Sequence, residues 1–454
     1  MKNEPTRREF LKRSGTAAMA AGLSACAAPF VSRATFAGPG GTDPVPMALI
    51  GCGGRGQRLM RMGAQAEVFQ PVAVCDVQQS GMDEAAKWVK DKTGLEPKKI
   101  NDFRKLMEEK DVQAVLIATP DHWHAIQTIT ACMAEKDVYV EKPISHNIAE
   151  GLAMVAAVRK NKRVCQVGLM QRTMKDFQDA VKFIQSGKIG KVGLVKAWFI
   201  KQREDLGNPP DGDPPAGLDW DLWLGPAPKV PFNPVRFKVD LPGNPAYGSW
   251  RWFWDYAGGQ LLDWGPHMLD VVRWGLGKGM PRSASASGGK YVFTDARECP
   301  DTLAVVYDYG DATAIWEHRQ WSDRSIEPNR YHGIEFFGDH GTVLVDRSGW
   351  EVYPEPGSNI AEKGNPGDPG VDKIGPTDKD HVTNFAECVK SRKDPIMPIE
   401  EGFMTTATCQ LGNVSFRSGT KVVWDGEKQT IADNPAAMKY FGREYRKGFE
   451  LPKV

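Results

Sequence analysis

From Pro46 to about Val167 the chain alternates short apolar runs with longer amphipathic stretches. The runs Met47 to Gly51, Pro71 to Asp76, Ala114 to Thr119, Val138 to Pro143 and Val164 to Gly168 read as short apolar strands. Between them, helices are predicted to about Met62, over Met82 to Lys92, Phe103 to Glu109 and His124 to Glu135, and over Ile148 to Lys160. Strands separated by helices imply right-handed crossovers and a doubly wound parallel sheet.

Beyond Gly168 the pattern changes. A helix near Asp176 to Ser186 leads into a long alternating strand, Val192 to Gln202, and then into a Pro/Gly-rich stretch from Asn208 to Tyr247. Trp220, Trp223, Trp250, Trp252 and Trp254 lie in or just after that stretch, which marks it as packed. A helix over Leu261 to Leu276 follows. Strands at Thr302 to Tyr309, Thr313 to Trp321, Gly333 to Phe337 and Thr342 to Asp346 then suggest an antiparallel meander. Glu355 to Thr377 reads as a surface loop, and helices near Asp380 to Ser391 and Glu401 to Ser418 close the domain. The expected organisation is a leader over 1–45, an α/β domain over 46–167, and an α+β domain with an open, mostly antiparallel sheet over 168–454.

The first strand runs into Gly51, Gly53 and Gly56, the G-x-G-x-x-G spacing of a dinucleotide-binding turn in a Rossmann domain. Gly51 permits the turn, Gly53 lets backbone amides approach a pyrophosphate, and Gly56 lets the helix pack closely on the strand. Asp76 ends the second strand 20 residues after Gly56, where a carboxylate accepts from both ribose hydroxyls. No Arg or Lys occurs among Val77, Gln78 and Gln79, which favours NAD over NADP.

Thr6-Arg7-Arg8-Glu9-Phe10-Leu11-Lys12 and the Ala-rich stretch after it form a twin-arginine export signal. Leu23-Ser24-Ala25-Cys26 also fits a lipoprotein box with Cys26 as lipid anchor; cleavage near Ala34 or Ala37 is the alternative. The expected location is the periplasm or, lipid-anchored, the cell envelope, with no transmembrane segment. The 454 residues carry a net charge of +1, which offers no basic footprint for nucleic acid. Of eight cysteines, the seven outside the leader are scattered without a C-x-x-C pair, so no disulfide framework is expected.

Four blocks in order, Gly51-Cys52-Gly53-Gly54-Arg55-Gly56, Thr119-Pro120-Asp121-His122-Trp123-His124, Glu141-Lys142-Pro143 and Gly258 to His267, resemble the Gfo/Idh/MocA oxidoreductase family. The resemblance spans about Pro46 to the C-terminus. It implies that Lys142, Asp263 and His267 border the nicotinamide and the substrate. It places Gly51, Gly53, Gly54, Arg55, Gly56, Asp76, Thr119, Pro120, His122, His124, Glu141 and Lys142 along the cofactor. Homodimers or homotetramers are a further implication.

Asp263 and His267 are four apart, which on one helix puts them on a shared face. A carboxylate beside an imidazole can orient it, and His accepts a hydroxyl proton near neutral pH. Gln171 and Arg172, after the last crossover strand, and Arg251 and Trp252 are the substrate candidates. Seven of the 14 tryptophans fall between Trp220 and Trp274, and indole faces stack on sugar C–H faces; the competing explanation is packing. His122 and His124 form an H-x-H with no further clustered ligand, and no catalytic metal is predicted. Three functions fit. One is an exported NAD-dependent oxidoreductase acting on a sugar, sugar-derivative or cyclitol hydroxyl. Another is a glycosidase or lyase that oxidises a ring hydroxyl transiently and recycles its NAD. The third is a sugar-binding module.

Overall fold

The computed structural model describes residues 43–241, 244–369 and 371–454. The twin-arginine leader and Cys26 lie outside the described residues.

The first domain consists of β1 (Val45–Ile50), α1 (Gly54–Gln65), β2 (Phe69–Cys75), α2 (Gln79–Thr93), β3 (Lys98–Ile100), α3 (Phe103–Leu106), β4 (Ala114–Ile117), α4 (Asp121–Met133), β5 (Asp137–Val140), α5 (Ile148–Lys160) and β6 (Cys165–Val167). Its six strands run in the order β3-β2-β1-β4-β5-β6, and every ladder is parallel. Helices cover both faces, so Ala48, Leu49, Val115, Leu116 and Ile117 are fully buried, which explains the unbroken apolar runs. The chain winds outward from β1 in both directions. The crevice between the ends of β1 and β4 is therefore the place where such a sheet binds ligands.

The second domain contains α6 (Lys175–Gln185), β7 (Val192–Ile200), α7 (Trp220–Leu224), β8 (Val239–Leu241), β9 (Asn244–Tyr247), α8 (Gly259–Asp263) and α9 (Gly265–Leu276). These are followed by β10 (Ser283–Gly289), β11 (Thr302–Asp308), β12 (Thr313–Arg319), β13 (His332–Gly338), β14 (Gly341–Val345), β15 (Trp350–Pro354) and β16 (Gly364–Asn365). The chain ends with α10 (Ile374–Ser391), α11 (Ile399–Ser418), β17 (Val422–Asp425), β18 (Thr430–Ile431) and α12 (Pro435–Met438). Ten strands form one open sheet in the order β16-β15-β14-β13-β7-β12-β11-β10-β17-β18. Within this sheet, among the described residues, only β7 and β12 pair in parallel. Helices α9 and α11 pack on one face of it. Val306, Tyr353 and Val423 remain exposed on its strands.

Three features depart from the sequence-based expectation. The expected helix over Leu261 to Leu276 is two helices meeting at Trp264, with Pro266 in the first turn of α9, where its missing N–H costs no hydrogen bond. Strand β10 (SASASGG) lacks the apolar alternation that reveals a strand, so it was not expected. Helix α10, expected in the second domain, returns to the first. Val382, Phe385, Ala386 and Val389 enter a core with Val45, Met47, Leu59 and Phe69, and the Phe385 ring meets Phe69 edge-on at 6.2 Å.

Candidate active site

Two adjoining cavities of about 540 and 270 Å³ open at the crevice and share Arg55, Thr119, Trp250 and Arg251 among their walls. The larger is built on the glycine turn. Gly51 has φ +93°, and a Cβ there would lie 2.7 Å from the Ala118 backbone. A Cβ on Gly56 would lie 2.1 Å from the Gly51 carbonyl, so β1, α1 and β4 meet only because both residues are glycine. Gly53 and Gly54 face open space instead. Gly53 caps α1 without a side-chain bond, so the first amides of the helix are left for an anion at the cavity wall. The Asp76 carboxylate accepts from the Cys52 amide at 2.5 Å and the Gln78 amide at 2.8 Å, and burial raises its pKa. Open glycine backbone, bare helix terminus and anchored carboxylate fit the pyrophosphate and ribose of a dinucleotide.

The smaller cavity gathers charged groups from distant parts of the chain. Lys142 Nζ donates to the Asp263 carbonyl at 2.5 Å and to Oδ1 at 2.9 Å. Arg251 Nε reaches the same Oδ1 at 3.3 Å. Burial alone would raise the Asp263 pKa, but the charges of Lys142, Arg251 and Arg203 outweigh it and hold the carboxylate well below its ordinary range. Asp263 is thus committed to Lys142 and Arg251, not to His267 as the i, i+4 spacing suggested. The helix break at Trp264 separates the two residues.

His267 lines the same cavity and is 6% exposed. Burial, reinforced by the charges of Arg347, Lys142 and Arg55, drives its pKa well below the ordinary value. The imidazole is therefore neutral near pH 7. Its Nδ1 is enclosed with no hydrogen-bond partner among the described residues, which leaves Nε2 as the nitrogen on the cavity side.

Arg55 lines both cavities and is held by Glu141 at 2.8 Å and Asp378 at 2.9 Å, so it bridges α1, the strand end after β5 and α10. Thr119 and Pro120 line the larger cavity. The His124 ring nitrogens lie 2.7 Å from the Pro143 carbonyl and 2.8 Å from the Thr119 carbonyl, tying the two loops at the crevice together.

The structure takes several expected residues away from the cleft. His122 is buried against Trp223 and Tyr256, with Nε2 3.0 Å from the Trp223 carbonyl, so it anchors the tryptophan-rich segment and does not touch the cofactor crevice. Trp252 is 1% exposed in that segment's own core; Trp250, two residues earlier, is the indole at the cleft. Arg172 pairs with Asp270 at 2.7 Å and lies over Trp274, outside the lining of the smaller cavity. Gln171 stands behind the site, donating to the His267 carbonyl at 2.9 Å and accepting from Arg347 at 3.3 Å.

Asp121 and Arg347, at the smaller cavity, are not marked as site residues by the sequence. Asp121, the first residue of α4, lines the smaller cavity and is 5% exposed. Burial, with help from Asp263, pushes its pKa up to about 8 against the pull of Lys142 and Arg251. Its place inside the Thr119 to His124 block was the available signal. Arg347, between β14 and β15, lies 4.7 Å over Trp264 and pairs with Asp372; no local pattern marks it.

Comparison with known proteins agrees with this architecture. The profile of an oxidoreductase family with an NAD-binding Rossmann fold matches residues 45–169, and that of the family's C-terminal alpha/beta domain matches 197–315. An inositol 2-dehydrogenase of Salmonella paratyphi B is 34% identical over 149 residues, 32% of this chain and 43% of that protein. A glycosyl hydrolase family 109 protein of Shewanella is 31% identical over 212 residues, 43% of this chain and 46% of that protein. The chain thus spans less than half the length of either relative. The WlbA dehydrogenase of Bordetella pertussis, solved with NADH and UDP-GlcNAcA, superposes with a TM-score of 0.60 at 18% identity, covering 84% of this chain and 99% of that one.

Proposed function

Because this chain belongs to the Gfo/Idh/MocA oxidoreductase family, we propose that it is an exported, NAD-dependent enzyme that moves a hydride between a sugar, sugar-derivative or cyclitol hydroxyl and the nicotinamide. The observation that carries this reading is that Lys142 and a neutral His267 line one cavity adjoining the dinucleotide cleft. Gly53, Gly54 and Asp76 would hold the nucleotide. When bound, NAD supplies the hydride acceptor. The Lys142 ammonium, positioned by Asp263, binds the reacting oxygen and stabilises negative charge developing on it. His267 Nε2 takes the hydroxyl proton, and the cationic surroundings favour its release afterwards. Arg251, stacked 4.4 Å from the Trp250 ring, holds a neighbouring hydroxyl beside an aromatic face suited to a sugar ring.

The glycosidase reading is the second one, and the family 109 relative favours it over an unrelated chemistry. Both need the same residues. Incubation with NAD and a panel of sugars, cyclitols and aryl glycosides separates them: NADH accumulation marks a dehydrogenase, and aglycone release without NADH marks the glycosidase. Neither product would leave only a binding role.

Export rests on Arg7 and Arg8. Replacing both by Lys should strand active protein in the cytoplasm, as fractionation would show; unchanged export refutes the signal. A lipid anchor at Cys26 predicts membrane association that is lost in Cys26→Ser. The exposed Val306, Tyr353 and Val423 on the open sheet support a homodimer or homotetramer through that face, to be read by light scattering.

A further inference from the structure

The segment between β7 and α8 has its own core of Trp220, Trp223, Phe232, Phe237 and Tyr256, and it is fastened to the first domain beside the ribose carboxylate. The Gln79 amide donates to the Gly217 carbonyl at 2.8 Å, and the Asp219 amide to the Val77 carbonyl at 2.9 Å. Trp123 Nε1 donates to the Trp223 carbonyl at 3.0 Å. These bonds fix the segment to the loop that follows β2 and to α4. As a result Leu222, Trp223, Phe237 and Lys238 line the same cavity as Asp76.

Lys238 is the informative residue. Its Nζ donates to Gln78 Oε1 at 2.7 Å, while the Gln78 amide donates to Asp76 Oδ1 at 2.8 Å, so a single residue links the ammonium to the ribose carboxylate. The interaction also appears in their electrostatics: the Lys238 charge stabilises ionised Asp76, against the burial that opposes it. The sequence around Asp76 lacks a cation, and the second domain brings one from 162 positions further along the chain.

We propose that Lys238 is a nucleotide-specificity residue: its ammonium faces the adenosine ribose beside Asp76 and tempers the bias of that carboxylate against a 2′-phosphate. The inference rests on the dinucleotide assignment. A lone Asp76 would reject NADP strongly. With Lys238 in place the cleft keeps its preference for NAD but admits NADP, because the ammonium can bond a phosphate oxygen or a 2′-hydroxyl.

The test is titration of the full-length protein with NAD and with NADP, read by quenching of tryptophan fluorescence, in wild type, Lys238→Ala and Lys238→Arg. The Ala variant should weaken NADP by about tenfold or more, the scale of one charge-assisted hydrogen bond, and NAD by about threefold or less. The ratio of the two dissociation constants should therefore widen, and Arg should restore it. An unchanged ratio overturns the proposal, whether both affinities hold, so that Lys238 is remote from the ribose, or both fall equally, so that it only braces the segment. If the wild type binds neither nucleotide, the dinucleotide assignment itself falls. Binding with an insensitive ratio removes only the role of Lys238.

Discussion

The two ends of the cleft are built in opposite ways. At the nucleotide end a strand, a glycine turn and a helix lie within Val45 to Gln65, and the geometry follows from local backbone freedom at Gly51 and Gly56. At the substrate end Asp121, Lys142, Arg251, Asp263, His267 and Arg347 converge from five stretches of chain, and what matters there is mutual electrostatics. Local construction makes a binding site that is recognisable and sterically unforgiving. Convergent construction makes one in which each group's protonation depends on its neighbours.

The sharpest test of this contrast is at the substrate end. Lys142→Ala and His267→Ala should each lower turnover by roughly a hundredfold or more, the scale of losing a positioned acid-base group, while NAD affinity changes little. Asp263→Asn should also be slow, since an amide cannot balance the charges of Lys142 and Arg251. Steady-state rates beside nucleotide titrations read both quantities, with thermal melts to confirm folding; near-normal turnover in the first two variants would return these residues to a structural role.

At the nucleotide end the dominant penalty should be steric. Gly56→Ala forces a methyl group to within 2.1 Å of the Gly51 carbonyl, so β1 and α1 must separate. A loss of about 1–3 kcal/mol of stability is expected from such overpacking. Gly53→Ala meets no neighbouring atom, so it should lower the melting temperature by no more than the loss of a favoured N-cap residue, while its methyl group intrudes on the ligand and weakens NAD. Equal melting temperatures for both variants would contradict this reading.

Asp121 offers a subtler test of the electrostatic end. Its folded pKa of about 8 stands above the ordinary 3.8, so the folded protein holds a proton that the unfolded chain has released. Stability from this group therefore falls as pH rises between those values and levels off above 8. Asp121→Asn removes the effect, and its melting temperature relative to wild type should climb through that window. A pH-independent difference would show that the carboxyl titrates normally.

The smallest effect belongs to Asp76. Asp76→Ala should narrow the NAD preference over NADP by about tenfold, through relief of charge repulsion and loss of ribose hydrogen bonds. Equal affinities in the unmutated protein would refute its role.

The same contrast explains what was readable in the chain. The parallel sheet, the glycine turn and Asp76 are local patterns, and the structure reproduces them closely. Lys142, Asp263 and His267 came from resemblance, and only the fold shows that the acid serves the lysine. Arg347 and Lys238 were invisible because their places depend on how a hairpin and a loop of the second domain approach the first. Composition points to Trp252 where the fold presents Trp250, because residues of the short 3₁₀ turn Ser249–Trp252 point in different directions. Helix α10 misled for a related reason: its apolar stripe announces that it is buried but not against what.

That helix also sets the timing of folding. During synthesis the first sheet emerges early, yet the patch around Val45, Met47 and Phe69 waits for residues 374–391 to leave the ribosome. At roughly 5–20 residues per second this interval lasts on the order of 10–40 seconds, during which an apolar surface is uncovered. A chain truncated before Ile374 should thus be prone to aggregate even with its glycine turn and Asp76 intact. Nucleotide-site integrity becomes a report on completion of the whole chain.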